Sequence, residues 1–334
     1  MKPVDVLLGG QDLNRSQSRS LFLSLLKHKF EPELAKQILV LLQRKGIHSD
    51  ELTGFIEAVQ SIEKPIAYKA KFLVDGCGTG GDGKHTFNIS TLACLVAAAS
   101  GASVAKHGNR SVSSLCGSAD LLESLGIKIE APRNRMLSAL RNQNFGYFHA
   151  PLYHPIFQHI GGIRRQLAKK KIKTIFNLAG PFLNPLSPKR QLIGVWKKDL
   201  MPMMAKTAQN LKLKHVLIVW NTAGFDELTT NQPTLVTELR RGKLKTTFIN
   251  PKKFGLKKSS DQNLSGGSVA KNRKIALDIL SAKDRSARLD VVLLNAGAVL
   301  YVSGKTRNIE EGIRLARQAV YSHSALKLVN RLVR

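Results

Sequence analysis

The sequence has 334 residues, 43% of them hydrophobic, and its 52 lysines and arginines outnumber 23 aspartates and glutamates, giving a formal charge of +29. This length and composition indicate a globular chain of one or two domains and exclude a disordered or low-complexity protein. Three widely spaced cysteines (Cys77, Cys94 and Cys116) form no disulfide framework or zinc-binding spacing, and the first residues lack a signal peptide, so we expect a cytoplasmic protein without a membrane span.

Residues 1–70 are predicted to be helical throughout. Apolar residues recur at helical spacing in three segments, at residues 16–27, 31–45 and 49–62. No alternating strand pattern intervenes, and Lys64-Pro65 marks a boundary. We therefore expect a small helical domain over residues 1–68, joined by part of segment 155–185.

From residue 71 onward, short apolar segments alternate with helical patterns. The predicted strands are residues 72–74, 103–106, 127–129, 145–149, 215–220 and 289–294, with edge strands at 234–240 and 243–249. The predicted helices are residues 90–100, 118–124, 133–143, 153–167, 201–211, 270–281, 295–302 and 309–321. This alternation predicts an α/β fold, in which a small all-helical N-terminal domain precedes a larger α/β/α domain over residues 71–334 with a central, mostly parallel sheet.

The first functional signal is a glycine-dense turn between a predicted strand and helix. Five glycines in eight residues let the backbone approach a ligand closely: Gly76, Gly78, Gly80, Gly81 and Gly83. The helix opens with Asn88, Ser90 and Thr91, and a helix N-terminus with free N–H groups suits a phosphate. Lys106 and Arg110 add positive charge. The sequence therefore predicts a site for a phosphorylated small molecule.

Two other interpretations of this turn remain open. The turn also matches the dinucleotide-binding pattern G-x-G-x-x-G, but Lys106 and His107 stand where that site wants an acidic residue. A glycine run can also be only a flexible loop, with Ser90 and Thr91 serving as helix caps.

A second signal is the pair Asp226-Glu227, which follows the predicted strand 215–220 in the segment N-T-A-G-F-D-E-L. Open α/β sheets place ligands beyond the carboxyl ends of their strands. Mg²⁺ uses one or two carboxylates together with substrate phosphates, and Ser90 can add a hydroxyl. The alternative is an ordinary solvated loop.

The positive charge lies mostly outside the first seventy residues, which hold 10 Lys and Arg against 8 Asp and Glu, leaving 42 against 15. Such a field favours anionic substrates and attracts nucleic acid nonspecifically at low salt. No basic ribbon interleaved with aromatic residues is present. A general bias toward basic surfaces is the simpler explanation.

Together, several motifs in chain order resemble the anthranilate phosphoribosyltransferase family. They are G-T-G-G-D at 78–82, T-F-N-I-S-T at 86–91, K-H-G-N-R at 106–110, A-P-L-Y-H-P at 150–155, N-L-A-G-P at 177–181, G-F-D-E at 224–227 and L-L-N-A-G-A-V-L-Y-V-S-G-K at 293–305. The resemblance covers essentially the whole chain. It implies a helical domain joined to an α/β domain, in the fold shared with pyrimidine nucleoside phosphorylases, and a homodimer built through the helical domain.

The resemblance also implies a reaction. Anthranilate and 5-phosphoribosyl 1-pyrophosphate (PRPP) would give N-(5-phosphoribosyl)anthranilate and pyrophosphate, a step of tryptophan biosynthesis, with two Mg²⁺ ions per active site. The ribosyl centre would pass through an oxocarbenium-like transition state. The catalytic residues would be Lys106, Asp226 and Glu227.

The resemblance carries three sets of ligand contacts to this sequence. PRPP would be bound by Gly78, Gly80, Gly81, Asp82, Thr86, Asn88, Ser90, Thr91, Lys106 and Ser118. Anthranilate would be bound by His107, Asn109, His154, Arg164, Gly180 and Pro181, with Arg164 pairing with its carboxylate. Magnesium would be held by Ser90, Asp226 and Glu227.

Some alternatives stay open at this stage. His107 and His154 are expected to line the acceptor site, but either could transfer protons. A pyrimidine nucleoside phosphorylase would share the fold but predicts a different glycine loop and no Asp-Glu pair. A nucleic-acid-binding relative without catalysis would account for the charge, but the motif positions are intact. The segment 167–175 is longer than is usual for the family, which affects the geometry near Arg164.

Overall fold

A computed structural model describes residues 2–110 and 115–333. Four helices precede the first strand: α1 (Pro3–Leu8), α2 (Arg15–Leu26), α3 (Pro32–Lys45) and α4 (Ser49–Ile62). Helix α2 begins at a capping box, in which Asn14 and Gln17 each accept a hydrogen bond from the other's backbone N–H. At α4, the buried carboxylate of Glu51 accepts from the N–H groups of His48 and Leu13. The helical prediction for the N-terminal segment is confirmed.

Seven strands follow among the described residues. They are β1 (Asp75–Gly76), β2 (Val104–Gly108), β3 (Phe145–His149), β4 (Arg190–Gly194), β5 (His215–Asn221), β6 (Thr234–Arg240) and β7 (Lys243–Ile249). One sheet has the order β1-β4-β5-β6-β7, parallel up to β5 and antiparallel beyond it. The pair β2-β3 is parallel, and a parallel bridge between Val74 and Val104 joins it to β1. The mostly parallel central sheet is thus confirmed.

The remaining helices connect and cover these strands. They are α5 (Ile89–Ala99), α6 (Ser118–Ser124), α7 (Arg133–Gln143), α8 (Ala150–Tyr153), α9 (Gly161–Lys169), α10 (Ile175–Ala179), α11 (Leu200–Asn210), α12 (Asp261–Leu264), α13 (Val269–Leu280), α14 (Ala287–Ser303), α15 (Ile309–Tyr321) and α16 (Ser324–Val333). Short 3₁₀ turns cover Pro155–Phe157, Gly180–Leu183 and Pro251–Phe254.

Two predicted strands are wrong. Residues 289–294 lie inside α14, which also contains the separately predicted helix 295–302. Nearly every residue of α14 is buried, so its apolar run lacks the polar face that would distinguish a helix from a buried strand. Residues 127–129 form no strand: Ile127 and Ile129 are buried, but the N–H of Ile127 closes α6 by donating to the Leu122 carbonyl at 3.0 Å.

Four other elements differ from the prediction. The single helix predicted at 153–167 is divided into α8, a 3₁₀ turn that begins at Pro155, and α9, which begins at Gly161. The first strand lies slightly later than predicted, with Val74 forming only an isolated bridge. Strand β4 and helix α16 were not predicted.

The apolar core has two main clusters. One packs α5 and α14 against the sheet, and the other packs the N-terminal helices against residues 160–183, α11, β4 and β5. The second cluster joins the helical segment to the strands that carry the site described below. The division into domains at residues 68–71 stays a prediction.

Candidate active site

The glycine turn and the Asp226-Glu227 loop meet beyond the carboxyl ends of β1, β4 and β5. The N–H of Thr79 donates to the carbonyl oxygen of Gly194, the last residue of β4, at 2.9 Å. The N–H of Gly80 donates to Asp226 Oδ2 at 3.0 Å. Two segments separated by more than a hundred residues are therefore joined by direct contacts, in the crevice where α/β sheets bind ligands.

Close approach of the backbone to Asp226 explains why two positions at this junction are glycine. A Cβ atom on Gly78 would lie 2.9 Å from Asp226 Oδ2, and one on Gly194 would lie 2.6 Å from the carbonyl carbon of Asp226. Neither position has room for a side chain without moving the carboxylate loop. The turn itself needs glycine at Gly80 and Gly81, whose φ angles are +64° and +81°.

Glu227 is held at the N-terminus of α5. Its Oε1 accepts from the N–H of Ser90 at 3.1 Å, and its Oε2 accepts from the Thr86 hydroxyl at 3.4 Å. Asp82 lies beside the pair, since its Oδ2 accepts from the N–H of Asp226 at 3.4 Å. The helix N-terminus that the sequence predicts for phosphate thus also positions a carboxylate.

The site brings the carboxyl groups of Asp82, Asp226 and Glu227 close together. Burial raises the pKa of Asp226 to about 7, and the neighbouring Asp82 adds to this effect. Burial, followed by the charge of Asp226, raises the pKa of Glu227 well above its usual range. Each carboxylate nevertheless keeps part of its surface open to solvent. Buried like charges and an all-oxygen donor set fit a hard divalent cation.

No cluster of three or more His, Cys, Asp or Glu residues within 2–110 and 115–333 has the arrangement of a metal site. Mg²⁺ does not need such a cluster, because it keeps several waters and binds substrate phosphates alongside one or two carboxylates.

Lys106 lies beneath the glycine turn. It is buried on β2, and its Nζ donates to the carbonyl oxygen of Gly76 at 2.8 Å. Its charge counteracts the rise in the pKa of Asp75, which burial brings to about 6. Asp75 also accepts from the Asn184 side-chain amide at 2.8 Å. The sequence analysis did not identify Asp75 as a site residue, although a carboxylate inside an apolar strand could have indicated it.

The two histidines differ in their contacts. His107 Nδ1 lies 3.2 Å from the carbonyl oxygen of Gly180, and burial lowers the pKa of His107 to about 3, so the ring is neutral. His154 bonds Glu63 through Nδ1 and the Leu183 carbonyl through Nε2, both at 2.7 Å. His154 therefore ties the end of α4 to the turn that carries Gly180, and both of its nitrogens are occupied.

Arg164 lies against two aromatic rings. Its guanidinium, on α9, lies 4.7 Å from the ring centroid of Phe176 and 5.9 Å from that of Phe157. No residue in the described part of the chain forms a hydrogen bond or ion pair with this guanidinium, and burial lowers its pKa. A guanidinium stacked on aromatic rings without a carboxylate partner suits a planar carboxylate ligand.

Other predicted ligands bond to the protein itself. The Asn88 amide donates to the Cys116 carbonyl at 3.0 Å and accepts from Asn272 at 3.1 Å. The Ser118 hydroxyl bonds the Asn109 carbonyl at 3.2 Å and the Tyr147 hydroxyl at 3.0 Å. Neither side chain forms a hydrogen bond with Asp226 or Glu227.

Thr91 is buried within α5, and Pro181 lies buried in the turn that follows α10. Arg110, which the sequence analysis expects to add positive charge near the phosphate site, is already paired with carboxylates of α6. It forms ion pairs with Asp120 at 3.1 Å and Glu123 at 2.8 Å.

Two supporting residues were also missed. Asn295 on α14 accepts from the N–H of Leu228 at 3.2 Å and donates to the Leu228 carbonyl at 2.6 Å, which fixes the backbone directly after Glu227. The presence of an asparagine within an apolar segment could have indicated that Asn295 has such a role. Lys173 reaches Gly81 from the segment that follows α9.

Comparisons with known proteins identify the family of the chain. The family described as "Glycosyl transferase family, a/b domain" matches residues 70–326, which places the chain in the class of glycosyl transferases.

Similar sequences identify the family within this class of glycosyl transferases. Anthranilate phosphoribosyltransferase of Clostridium kluyveri is 38% identical over 319 residues, 96% of this chain and 94% of the relative. That of Chloroherpeton thalassium is 39% identical over 332 residues, 98% and 95% of the two chains. The chain belongs to the anthranilate phosphoribosyltransferase family of enzymes, as the motifs predict.

Solved structures confirm the fold. The anthranilate phosphoribosyltransferase of Thermus thermophilus has a TM-score of 0.92 and 35% identity, with 100% of this chain and 98% of that chain covered. The Saccharomyces cerevisiae enzyme in complex with PRPP and Mg has a TM-score of 0.87 and 26% identity, with 99% and 95% covered. Among the described helices of this chain, none has both the length and the apolar composition needed to cross a membrane.

Proposed function

We propose that the protein transfers the phosphoribosyl group of PRPP to the amine of anthranilate, giving N-(5-phosphoribosyl)anthranilate and pyrophosphate in tryptophan biosynthesis. The observation that carries the proposal is the contact between Gly80 and Asp226, which joins the glycine turn to the carboxylate pair. The relatives carry the name of this activity, and the yeast enzyme has been solved with PRPP and Mg and with 4-fluoroanthranilate.

The donor would lie on the glycine turn and the start of α5. The proposed PRPP contacts are those assigned from the resemblance: Gly78, Gly80, Gly81, Asp82, Thr86, Asn88, Ser90, Thr91, Lys106 and Ser118. Lys106 would act from beneath the turn, because its ammonium is hydrogen-bonded to Gly76 there. A fixed cation beside a leaving pyrophosphate stabilises the charge that develops on it.

Asp226, Glu227 and Ser90 would hold Mg²⁺, with two ions per active site. The raised pKa values of the two carboxylates support this role, because a cation would supply the charge compensation that the fold leaves out. When bound, magnesium would neutralise charge on the pyrophosphate oxygens as a Lewis acid.

Anthranilate would bind on the other side of the turn, against Arg164, His107, Asn109, Gly180 and Pro181. Arg164 would pair with its carboxylate and so direct its amine toward the ribose. His154 would act by holding this wall in place, because both of its ring nitrogens bond protein groups. A neutral His107 fits a lining role better than proton transfer. Positioning would carry much of the rate, through an oxocarbenium-like ribosyl centre.

The assembly and location are also proposals. A homodimer through the helical segment is supported by Leu8 on α1, 64% of whose surface is exposed. A cytoplasmic location is supported by the cysteine pattern of the sequence.

The test is the loss of anthranilate fluorescence in the presence of PRPP, with and without Mg²⁺. We expect Mg²⁺-dependent consumption by the purified protein and formation of one pyrophosphate per anthranilate. Absence of consumption, together with tight and salt-sensitive binding of DNA, would instead support the nucleic-acid-binding interpretation.

A further inference from the structure

Lys173 connects the segment that carries Arg164 to the glycine turn. It lies between α9 and α10, and its Nζ donates to the carbonyl oxygen of Gly81 at 2.6 Å. The same ammonium lies 3.9 Å from the ring centroid of Trp196, just beyond the end of β4. A hydrogen bond and an aromatic face together restrain a side chain that would otherwise move freely.

The contact depends on the backbone at Gly81. A Cβ atom there would lie 2.9 Å from Lys173 Nζ, and the φ angle of +81° disfavours any other residue. Gly81 therefore both forms the turn and leaves room for the ammonium.

The electrostatic surroundings of this ammonium belong to the donor site. Burial lowers the pKa of Lys173, while the charges of Asp82 and Asp226 oppose that effect. By contrast, Lys169 in the last turn of α9 is exposed, with no hydrogen bond or ion pair to the described residues. Of these two lysines, Lys173 is the one that reaches the glycine turn.

We propose that Lys173 is a positioning residue for the donor. It holds the glycine turn in the conformation that receives the pyrophosphate of PRPP and places a positive charge beside it. This inference rests on the proposed function.

The test compares Lys173→Met, Lys173→Gln and the matched control Lys169→Met. Binding of PRPP with Mg²⁺ is measured by calorimetry, and the KM of each substrate is measured by anthranilate fluorescence. We expect the Kd and KM for PRPP to rise about tenfold in Lys173→Met, the loss expected for a charge-assisted hydrogen bond. Lys173→Gln, which keeps a donor without the charge, should lie between it and the wild type.

The anthranilate KM should change by less than about twofold in all three variants, and Lys169→Met should match the wild type. An unchanged PRPP Kd in Lys173→Met, with a melting temperature equal to that of the wild type, would overturn the inference. An equal loss in Lys169→Met would also overturn it, because the effect would then be one of net charge. A wild-type protein that neither binds PRPP nor consumes anthranilate would refute the proposed function itself.

Discussion

Gly194→Ala tests whether the junction between the glycine turn and the carboxylate loop controls catalysis. The added Cβ atom would overlap the carbonyl oxygen of Asp226 and lie 2.6 Å from its carbonyl carbon. Carbon atoms in contact normally keep about 3.5–4.0 Å apart, and the carbonyl oxygen lies closer still to the added atom, so the backbone at Asp226 must retreat by more than about 1 Å. The movement cannot be absorbed by a flexible side chain, because both groups are backbone.

A displacement of about 1 Å at a catalytic group can cost about 100-fold in rate, which corresponds to about 2.7 kcal/mol. We therefore expect kcat to fall by about two orders of magnitude, and the Mg²⁺ concentration at half-maximal rate to rise. The carbonyl of Gly194 also accepts from the N–H and hydroxyl of Thr79, so the glycine turn should loosen as well. The assay is loss of anthranilate fluorescence over a Mg²⁺ titration at saturating PRPP.

Gly162→Ala is the matched control. Gly162 lies in α9, where an added Cβ atom meets no atom within 4 Å. Alanine there should stabilise the helix by about 0.5–1 kcal/mol and leave kcat within about twofold of the wild type. If Gly194→Ala kept the wild-type rate and Mg²⁺ requirement, the carboxylate loop would not need the observed packing, and the site assignment would fail.

Three further outcomes are expected. Arg164→Ala should raise the anthranilate KM by at least about tenfold with a smaller change in the PRPP KM, because a bidentate ion pair is lost; steady-state kinetics showing the reverse order would contradict the acceptor role. In metal-free buffer, Asp226→Asn should raise the melting temperature more at pH 8 than at pH 5 by a few degrees. The pKa of Asp226 is raised in the folded state to about 7 from 3.8, so the stability that protonated Asp226 contributes at low pH is lost as the pH rises through 7. Asparagine does not ionise and therefore avoids this loss. An equal gain in melting temperature at both pH values, measured by scanning fluorimetry, would refute the pKa shift. Leu8→Glu should shift a dimer toward monomer in light scattering, and an unchanged mass would place the interface elsewhere.

The sequence predicted best where local pattern and tertiary environment agree. The half-buried helix α7 and the strands β3, β5, β6 and β7 lie close to their predicted bounds. Helix α14 was misassigned because complete burial removes the periodicity on which helix prediction depends. Strand β4 is short and follows a proline-rich turn, so its own residues carried little signal. It nevertheless supplies Gly194, where the two halves of the site meet.

In the candidate site, too, the residues that form local patterns were predicted and those that depend on tertiary contacts were not. The glycine turn and the Asp-Glu pair are local patterns with recognisable chemistry, and the sequence identified both. Residues that act through distant contacts were missed: Asp75 beneath the turn, Asn295 behind Glu227 and Lys173 across from Gly81. The ion pairs of Arg110 with the carboxylates of α6 are likewise contacts that no local pattern shows.

The electrostatics of the site fit the charges of the two proposed substrates. Burial and neighbouring carboxylates raise the pKa values of Asp226 and Glu227 and so disfavour their negative charges, while Arg164 holds positive charge without a partner in the described part of the chain. Each arrangement is unfavourable by itself, because charges removed from water need compensation. Magnesium with PRPP would offset the first and the carboxylate of anthranilate the second. The charges left uncompensated in the folded protein thus match, one by one, the groups that the proposed substrates would bring.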